Sequence, residues 1–378
     1  MRVLHICCNL AGSTVFPQLF GELRRQRLEQ EVFVPERRAG NVGKNVPEGV
    51  PTHVELTVRA TDMLLFFRKA QRSVPVIERT VDMKRVTLLH AHTLFTDGSI
   101  ALALHRRWGI PYVVTLRYSD IEAIWKYEPH LRPLARRILR GAAKVVFLGG
   151  AARDRVLERW LNARDRAELG AKTAVIPNGI DPAWLTGAPR GALGSTVRVG
   201  FAGLMNRRKR PLHALAAVHR ADGMDSGRRF VLRACGKGPL EERMRAGLAD
   251  GDALLGSVQG VEAMKRFYAD CDMLLVPSSA ETFGMVYLEA MSQGVPVLYT
   301  RGQGFDGQFP EGEVGFSVAC GDVREQAQRL LALCGDYEAR SARCVARAQE
   351  YAWPRVAQRW MALYAEAEGR MPGGEGNR

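Results

Sequence analysis

Short apolar runs alternate with longer stretches of helical period along the whole chain, a pattern that predicts βαβ units and parallel sheets. In the first half, residues 2–8, 31–34, 86–90, 112–116 and 144–147 read as strands, with helices at 15–29, 60–81, 98–108 and 131–141 between them. A second set of strands follows at 197–202, 229–234, 273–276 and 296–299. Between the sets, Asn178-Gly179, Pro182, Gly187, Pro189, Gly191 and Gly194 break any regular period, which places a domain boundary near 175–190. The predicted division is therefore an N-terminal domain over 1–180 and a C-terminal domain over 181–352. Residues 353–367 follow as an amphipathic helix with Val356, Trp360, Met361 and Tyr364 on one side. Residues 369–378 have nothing to pack and are expected to be disordered. No short internal repeat is visible, so a solenoid or propeller is excluded.

Residues 1–20 carry one basic side chain, and Asn9 and Gly12 break their apolar stretch, so they read as a first strand rather than a signal peptide. No stretch reaches the roughly 18 consecutive apolar residues of a membrane helix, which limits any membrane contact to the periphery. The seven cysteines form neither a CxxC pair nor a disulfide framework, and the expected compartment is the reducing cytoplasm.

Composition is ordinary for a globular protein of 378 residues, but 54 Lys and Arg against 40 Asp and Glu give a net charge of +14. Such an excess points to an anionic partner: nucleic acid, a phosphate ligand or a membrane surface. Residues 1–180 hold 29 basic and 17 acidic side chains, whereas 181–378 hold 25 and 23. Nearly all the excess belongs to the first half.

The most informative stretch is 273–294, MLLVPSSAETFGMVYLEAMSQG, an apolar strand, a loop carrying Glu281, and a helix starting near Phe283-Gly284. Amides at a helix N-terminus, here near Gly284 and Met285, suit a diphosphate. Glu281 before the helix and Glu289 two turns inside it are placed to bracket an elongated ligand, accepting hydrogen bonds from sugar hydroxyls and from a ribose diol. The same spacing also describes two solvent-facing glutamates on an ordinary loop. The run Arg207-Arg208-Lys209-Arg210 follows the strand at 197–202, where open α/β sheets bind ligands. Arg208 or Lys209 there would neutralise a phosphate leaving group, unless the run is only a solvated basic turn.

Together, Glu281-x7-Glu289 within its flanks, AGLMNRRK at 202–209, CGKGP at 235–239, VIPNGID at 175–181 and HAHTLFTDG at 90–98 resemble a family 4 retaining glycosyltransferase of the GT-B fold. The resemblance covers nearly the whole chain in order. It implies two Rossmann-like domains facing across a cleft that holds a nucleoside diphosphate sugar, and a final helix, 353–367, crossing back to the first domain. It implies an acceptor-binding first domain and a donor-binding second one. Glu281 would contact the donor sugar and Glu289 the ribose, while Phe283, Gly284 and Met285 place amides near sugar and phosphate. Lys209, with Arg207 or Arg208, would hold the diphosphate, and Gly12 would approach it from the other domain. No metal or other cofactor is expected.

Two departures matter. Leu204 stands where many relatives have Arg after the glycine, which leaves open whether Arg207 or Arg208 substitutes. Relatives read TxHxxD after the fourth strand, but this chain reads Thr115-Leu-Arg-Tyr-Ser-Asp120, putting Arg117 in the histidine's place on the acceptor side with Asp120. Arginine stays protonated and cannot serve as a general base. This fits a front-face mechanism in which the leaving phosphate takes the acceptor's proton.

Other candidates are weaker. Asp270-Cys271-Asp272 matches a metal-binding DxD pattern but is expected to cap a helix. His90 and His92 lack a third ligand and are expected to pack or line the cleft. The basic side chains of the first half, Arg24, Arg25 and Arg27, Arg68, Lys69 and Arg72, and Arg132, Arg136, Arg137 and Arg140, lie on predicted helices. With Leu64, Phe67 and Val74 beside the middle group, they suit the anionic cytoplasmic face of a membrane, where a glycan or polyprenyl-diphosphate-linked acceptor would be extended in cell-surface polysaccharide or glycolipid synthesis. Solvated arginines on a core helix remain the alternative. Other activities on the same fold, such as a nucleotide-sugar epimerase or phosphorylase, do not account for the Glu-x7-Glu block, and a nucleic-acid-binding protein would rest on charge alone. The donor base, UDP or GDP, the sugar and the linkage are not legible.

Overall fold

The computed structural model describes residues 1–59, 62, 66–225 and 227–369, which divide into two compact units. The first comprises Met1–Leu148, Ala152–Gly179 and, among the described residues, Trp353–Gly369; the second comprises Gly149–Ala151 and Ile180–Ala352. Leu64, the side chain of Phe67 and residues 370–378 lie outside the described residues.

The first unit is a seven-stranded parallel sheet of β1 (Arg2–Ile6), β2 (Glu29–Pro35), β3 (Thr52–Glu55), β4 (Leu88–Ala91), β5 (Tyr112–Leu116), β6 (Lys144–Phe147) and β7 (Thr173–Val175), in the order β3-β2-β1-β4-β5-β6-β7. A parallel sheet is covered on both faces, so its strands read as nearly continuous apolar runs. Successive residues duly enter opposite cores: Val3, Leu88, Val113 and Val146 belong to one, and Leu4, Leu89, Val114 and Phe147 to the other. The first core is closed by Phe16 and Phe20 of the helix Val15–Arg25 and by Trp353, Val356, Trp360 and Tyr364 of the C-terminal helix Trp353–Gly369. Met361, expected on the apolar side, is only partly buried, and Leu363 takes its place in the core. The first helix ends at Arg25, short of the predicted 29, because Arg27 turns the chain at φ +64° and the chain then enters β2.

The second unit repeats this plan with six parallel strands, β8 (Thr196–Ala202), β9 (Arg229–Cys235), β10 (Ala253–Leu254), β11 (Met273–Leu275), β12 (Val297–Thr300) and β13 (Gly315–Val318), in the order β10-β9-β8-β11-β12-β13. In both sheets the strand order reverses beside the unit's first strand, between β1 and β4 and between β8 and β11. Crossovers leave on opposite sides there, and the crevice at the carboxyl ends is where open α/β sheets take ligands.

Trp360 is 3% exposed and its ring lies 4.7 Å from that of His90. Trp360→Ala is expected to destabilise the first unit by about 3–5 kcal/mol, measured by equilibrium denaturation; a loss under about 1 kcal/mol would contradict this packing role for the C-terminal helix.

Candidate active site

In the second unit, the loops leaving β8 and β11 meet. Asn206 folds the first loop by accepting the amides of Arg208 at 3.0 Å and Lys209 at 2.9 Å through Oδ1. The carbonyl of Arg208 then accepts the amide of Ser279 at 2.8 Å and its hydroxyl at 3.2 Å, stitching the two loops together. Lys209 Nζ donates to Glu281 Oε2, with both side chains largely covered. The reading of Glu281 as an ordinary solvent-facing residue is thereby corrected. Arg207 and Arg208 point outward and, among the described residues, pair with no carboxylate. Leu204, which departs from the family pattern, is 58% exposed.

The helix Met285–Ser292 begins directly after Gly284, whose φ of +90° and contact with Tyr287, 2.4 Å from where a Cβ would stand, leave room only for glycine. Phe283 is buried against Phe305 and Tyr351, so only its backbone remains available to a ligand. Glu289 accepts a hydrogen bond from Tyr268 Oη at 3.1 Å. Burial raises its carboxyl above the ordinary range, while the Tyr268 hydroxyl and the Lys209 charge pull it back. Glu289 and Lys209 line one pocket of about 410 Å3 together with Gly203, Gly236, Lys237 and Val258. Gly236 is required there: at φ +136° its Cβ would stand 1.9 Å from the carbonyl oxygen of Gly203.

Two residues of this site escaped the sequence reading. Lys237 sits in the CGKGP turn, which entered only as part of the family resemblance. Tyr268 lies in the helix before β11 and offers no local signal, because only the fold brings it to Glu289. The Asp270 and Asp272 side chains do not cap the helix as expected: Asp270 pairs with Arg198 and Arg233, and Asp272 accepts the amide of Arg198 at 2.7 Å.

In the first unit, the loops after β1, β4 and β5 converge at the equivalent crevice. A Cβ on Gly12 would meet nothing within 4 Å, so packing gives no reason for the missing side chain. Arg117 lies 4.4 Å over the Phe16 ring and donates from Nε to the carbonyl of His92 at 2.9 Å. Asp120, 1% exposed, accepts the amides of Leu94 and Arg117 through Oδ2 at 3.1 and 2.9 Å and ties the β4 and β5 loops together. Burial pushes its carboxyl up to about 6. Asp97, wholly buried, accepts the amide of Cys8 at 3.1 Å, and burial pushes its carboxyl up to about 7.

A third histidine does join His90 and His92, against expectation: His5 of β1, with one nitrogen of each ring within 4.8 Å of the others. Its distance in sequence hid it. His90 uses its two nitrogens on the hydroxyls of Tyr364, at 2.7 Å, and Thr115, at 2.9 Å, and its ring lies 3.9 Å from that of His92, tilted by 37°. His5 Nδ1 lies 3.1 Å from His92 Nε2. Burial pushes His5 down to about 3 and the other two well below the usual range, so the three rings are held neutral, with His5 hydrogen-bonded to His92 and His90 to the two hydroxyls.

The basic helices are less free than expected. Lys69 turns inward, 4% exposed, and donates to Thr96 Oγ1 at 3.0 Å; Arg72 pairs with buried Asp62, and Arg140 with Asp165 at 2.6 Å. Arg68, Arg136 and Arg137 remain exposed.

Comparison with known proteins bears on both units. The family described as Glycosyltransferase Family 4 matches residues 13–184, and that described as Glycosyl transferases group 1 matches 196–336. A D-inositol 3-phosphate glycosyltransferase of Pseudarthrobacter chlorophenolicus is 26% identical, over 94% of this chain and 90% of its own. Among solved structures, a sucrose-phosphate synthase from Thermosynechococcus elongatus superposes with a TM-score of 0.72 over 97% of this chain and 98% of its own, at 16% identity. Anabaena HepE, solved with UDP and glucose, does so at 0.65, over 97% and 99%, also at 16% identity. The fold in common is GT-B, two Rossmann-like α/β domains.

The raised carboxyl of Asp97 has a measurable consequence. An unfolded aspartate titrates near ~4, so between that value and about 7 the folded state keeps the extra proton, and this group's contribution to stability falls as pH rises. Asp97→Asn removes that dependence. The stability of wild type minus variant should decline by up to about 1.4 kcal/mol per pH unit across this window, read from denaturant unfolding at several pH values. A flat difference would show that Asp97 is ionised throughout.

Proposed function

The chain belongs to the family 4 glycosyltransferases of the GT-B fold, and from that premise we propose that it moves a hexose from a nucleoside diphosphate sugar to a phosphate-bearing acceptor with retention of anomeric configuration. The observation that carries the reading is the Lys209–Glu281 pair, held beside the Gly284 turn and sharing its lysine with the pocket of Glu289. Lys209 and the amides at Gly284 and Met285 would take the diphosphate, with Arg207 or Arg208 reaching its outer oxygens. Glu281 would accept hydrogen bonds from the sugar hydroxyls and Glu289 from the ribose diol. Gly12, with space where a side chain would stand, would let backbone approach the phosphates. This arrangement calls for no metal, since protein cations and amides answer the diphosphate charge.

Arg117 bears on the acceptor. It is a cation that an anionic group on the acceptor would meet, while Lys69 is held inward on Thr96 beside Asp97 and Asp62. Neither can take a proton near neutrality in its charged form. In the front-face step we propose, the acceptor oxygen bonds to the anomeric carbon as the bond from that carbon to the β-phosphate oxygen breaks. The acceptor's proton passes to that departing oxygen, and Lys209 stabilises the charge that develops on it. Asp120 would position Arg117 through its backbone rather than touch substrate.

The acceptor phosphate has two candidate sources. A polyprenyl-diphosphate-linked glycan would place the enzyme in cell-surface polysaccharide or glycolipid synthesis, working from the cytoplasm on the inner membrane face. The excess charge of residues 1–180 favours this source, and no helix among the described residues is long and apolar enough to cross a membrane. A cyclitol phosphate is the second source, favoured by the name that the Pseudarthrobacter relative carries. Product analysis by mass spectrometry, with UDP- and GDP-hexoses offered to each acceptor class, separates the two, and the anomeric coupling constant of the product tests retention. An inverted anomer would overturn the mechanism.

Glu281→Ala and Lys209→Ala are each expected to lower turnover by about 100-fold or more in folded protein, with wild-type activity unchanged by a chelator. Near wild-type turnover in either variant would contradict the assignment. Arg117→His should change acceptor KM and rate while leaving nucleotide affinity, measured calorimetrically, as it is. Unchanged acceptor kinetics would remove Arg117 from the reacting centre.

A further inference from the structure

Away from the crevice, the first unit carries an open groove of about 430 Å3 over the helix Thr96–Trp108, walled by the helices Phe66–Thr80 and Arg132–Gly141. Its floor is apolar: Ala70 and Val74 from one wall, Leu102 and Ala103 from below, and Leu134 from the other wall. These positions recur at helical spacing and would be filled by a fourth element in a closed core. Instead the groove opens to solvent and its rim is cationic, with Arg106 and Arg107 at the end of the central helix and Arg137 across from them. Arg107 is paired with Glu78 at 2.7 Å, but among the described residues Arg106 and Arg137 have no carboxylate partner.

We infer that this groove is a binding site for an anionic amphiphile, a phosphate-headed lipid whose acyl chain lies along the apolar floor while its headgroup is held by Arg106 and Arg137. The volume falls in the range of small-ligand sites. Laying an acyl chain on the floor removes apolar surface from water, and guanidinium offers a phosphate paired, charge-assisted hydrogen bonds. A purely apolar occupant would leave the arginine charges unanswered. A second copy of the chain, related by a twofold axis, would set arginines against arginines. Such a site has a use only if the enzyme works at a lipid surface, as proposed above. It would then hold the first unit on the membrane through one extracted lipid rather than through diffuse charge.

The test is calorimetric titration with lysophosphatidylglycerol below its micelle concentration. Saturable binding to one site is expected, at least tenfold tighter than binding of lysophosphatidylcholine, with no binding of glycerol 3-phosphate. Arg106→Glu and Arg137→Glu should each weaken it about tenfold or more, since a charge-assisted hydrogen bond is worth about 1.5–3 kcal/mol. Ala103→Trp, which fills the groove at a partly exposed position, should abolish it. All three variants should retain nucleotide binding and turnover on a water-soluble acceptor. Equal binding of the zwitterionic lipid, or full binding by Ala103→Trp, would overturn the site. Adsorption to anionic vesicles without monomer binding would overturn the groove while leaving the membrane-face reading intact. Monomer binding by an enzyme that turns over only soluble acceptors would support the groove and count against the lipid-linked acceptor.

Discussion

Everything functional in this protein depends on one constraint, that its strands are parallel and buried on both faces. Parallel strands send every loop of one polarity to the same end of the sheet, and the reversal of strand order beside β1 and beside β8 opens a crevice among those loops. Residues far apart in sequence then become neighbours without any local code for it. Lys209 follows β8 and Glu281 follows β11, yet these strands are adjacent and the two side chains meet. The first unit obeys the same rule, with Gly12 after β1, His92 after β4 and Arg117 after β5 at one end of its sheet.

The ion pair at the centre of the second unit is best understood as preorganisation. Drawing a lysine and a carboxylate out of water costs about as much as their attraction returns, so the contact is a poor source of stability. It does hold Lys209 in one place, and the Asn206 turn beneath it fixes the backbone from which the lysine springs. A diphosphate arriving there would offer the ammonium a stronger anion, and the freed Glu281 would turn to sugar hydroxyls. The neighbouring Tyr268–Glu289 contact works alike: the tyrosine hydroxyl aims the carboxylate while burial limits its charge.

The legibility of the sequence follows from the same physics. β5 and β6 were predicted to the residue because a strand covered on both faces is an unbroken apolar run. β3 (Thr-His-Val-Glu) escaped because a half-exposed edge strand carries no such run. Gly284 was readable at the start of its helix, and its positive φ and the close approach of Tyr287 admit no other residue, whereas Gly236, equally confined by the carbonyl of Gly203, was not singled out. Partners supplied by tertiary contact were not readable, and His5, Tyr268 and the inward turn of Lys69 are of this kind. Helical period located the cations of residues 66–80 on a helix, but it could not tell that Lys69 would reach Thr96 while Arg68 stayed in water.

The first unit's crevice shows how far substitution of a single residue can narrow a mechanism. Its buried histidines are neutral and engaged with hydroxyls and one another, and Asp120 spends its oxygens on backbone amides. Against this scaffold a guanidinium is seated on Phe16, its Nε donating to the carbonyl of His92. Asp97, whose carboxyl burial pushes up to about 7, is the carboxyl of this crevice that titrates nearest neutrality, while the guanidinium offers only fixed charge and hydrogen-bond donors. The arginine that breaks the familiar TxHxxD pattern therefore puts a permanent positive charge where a histidine would titrate, beside a carboxyl that burial keeps protonated toward neutrality.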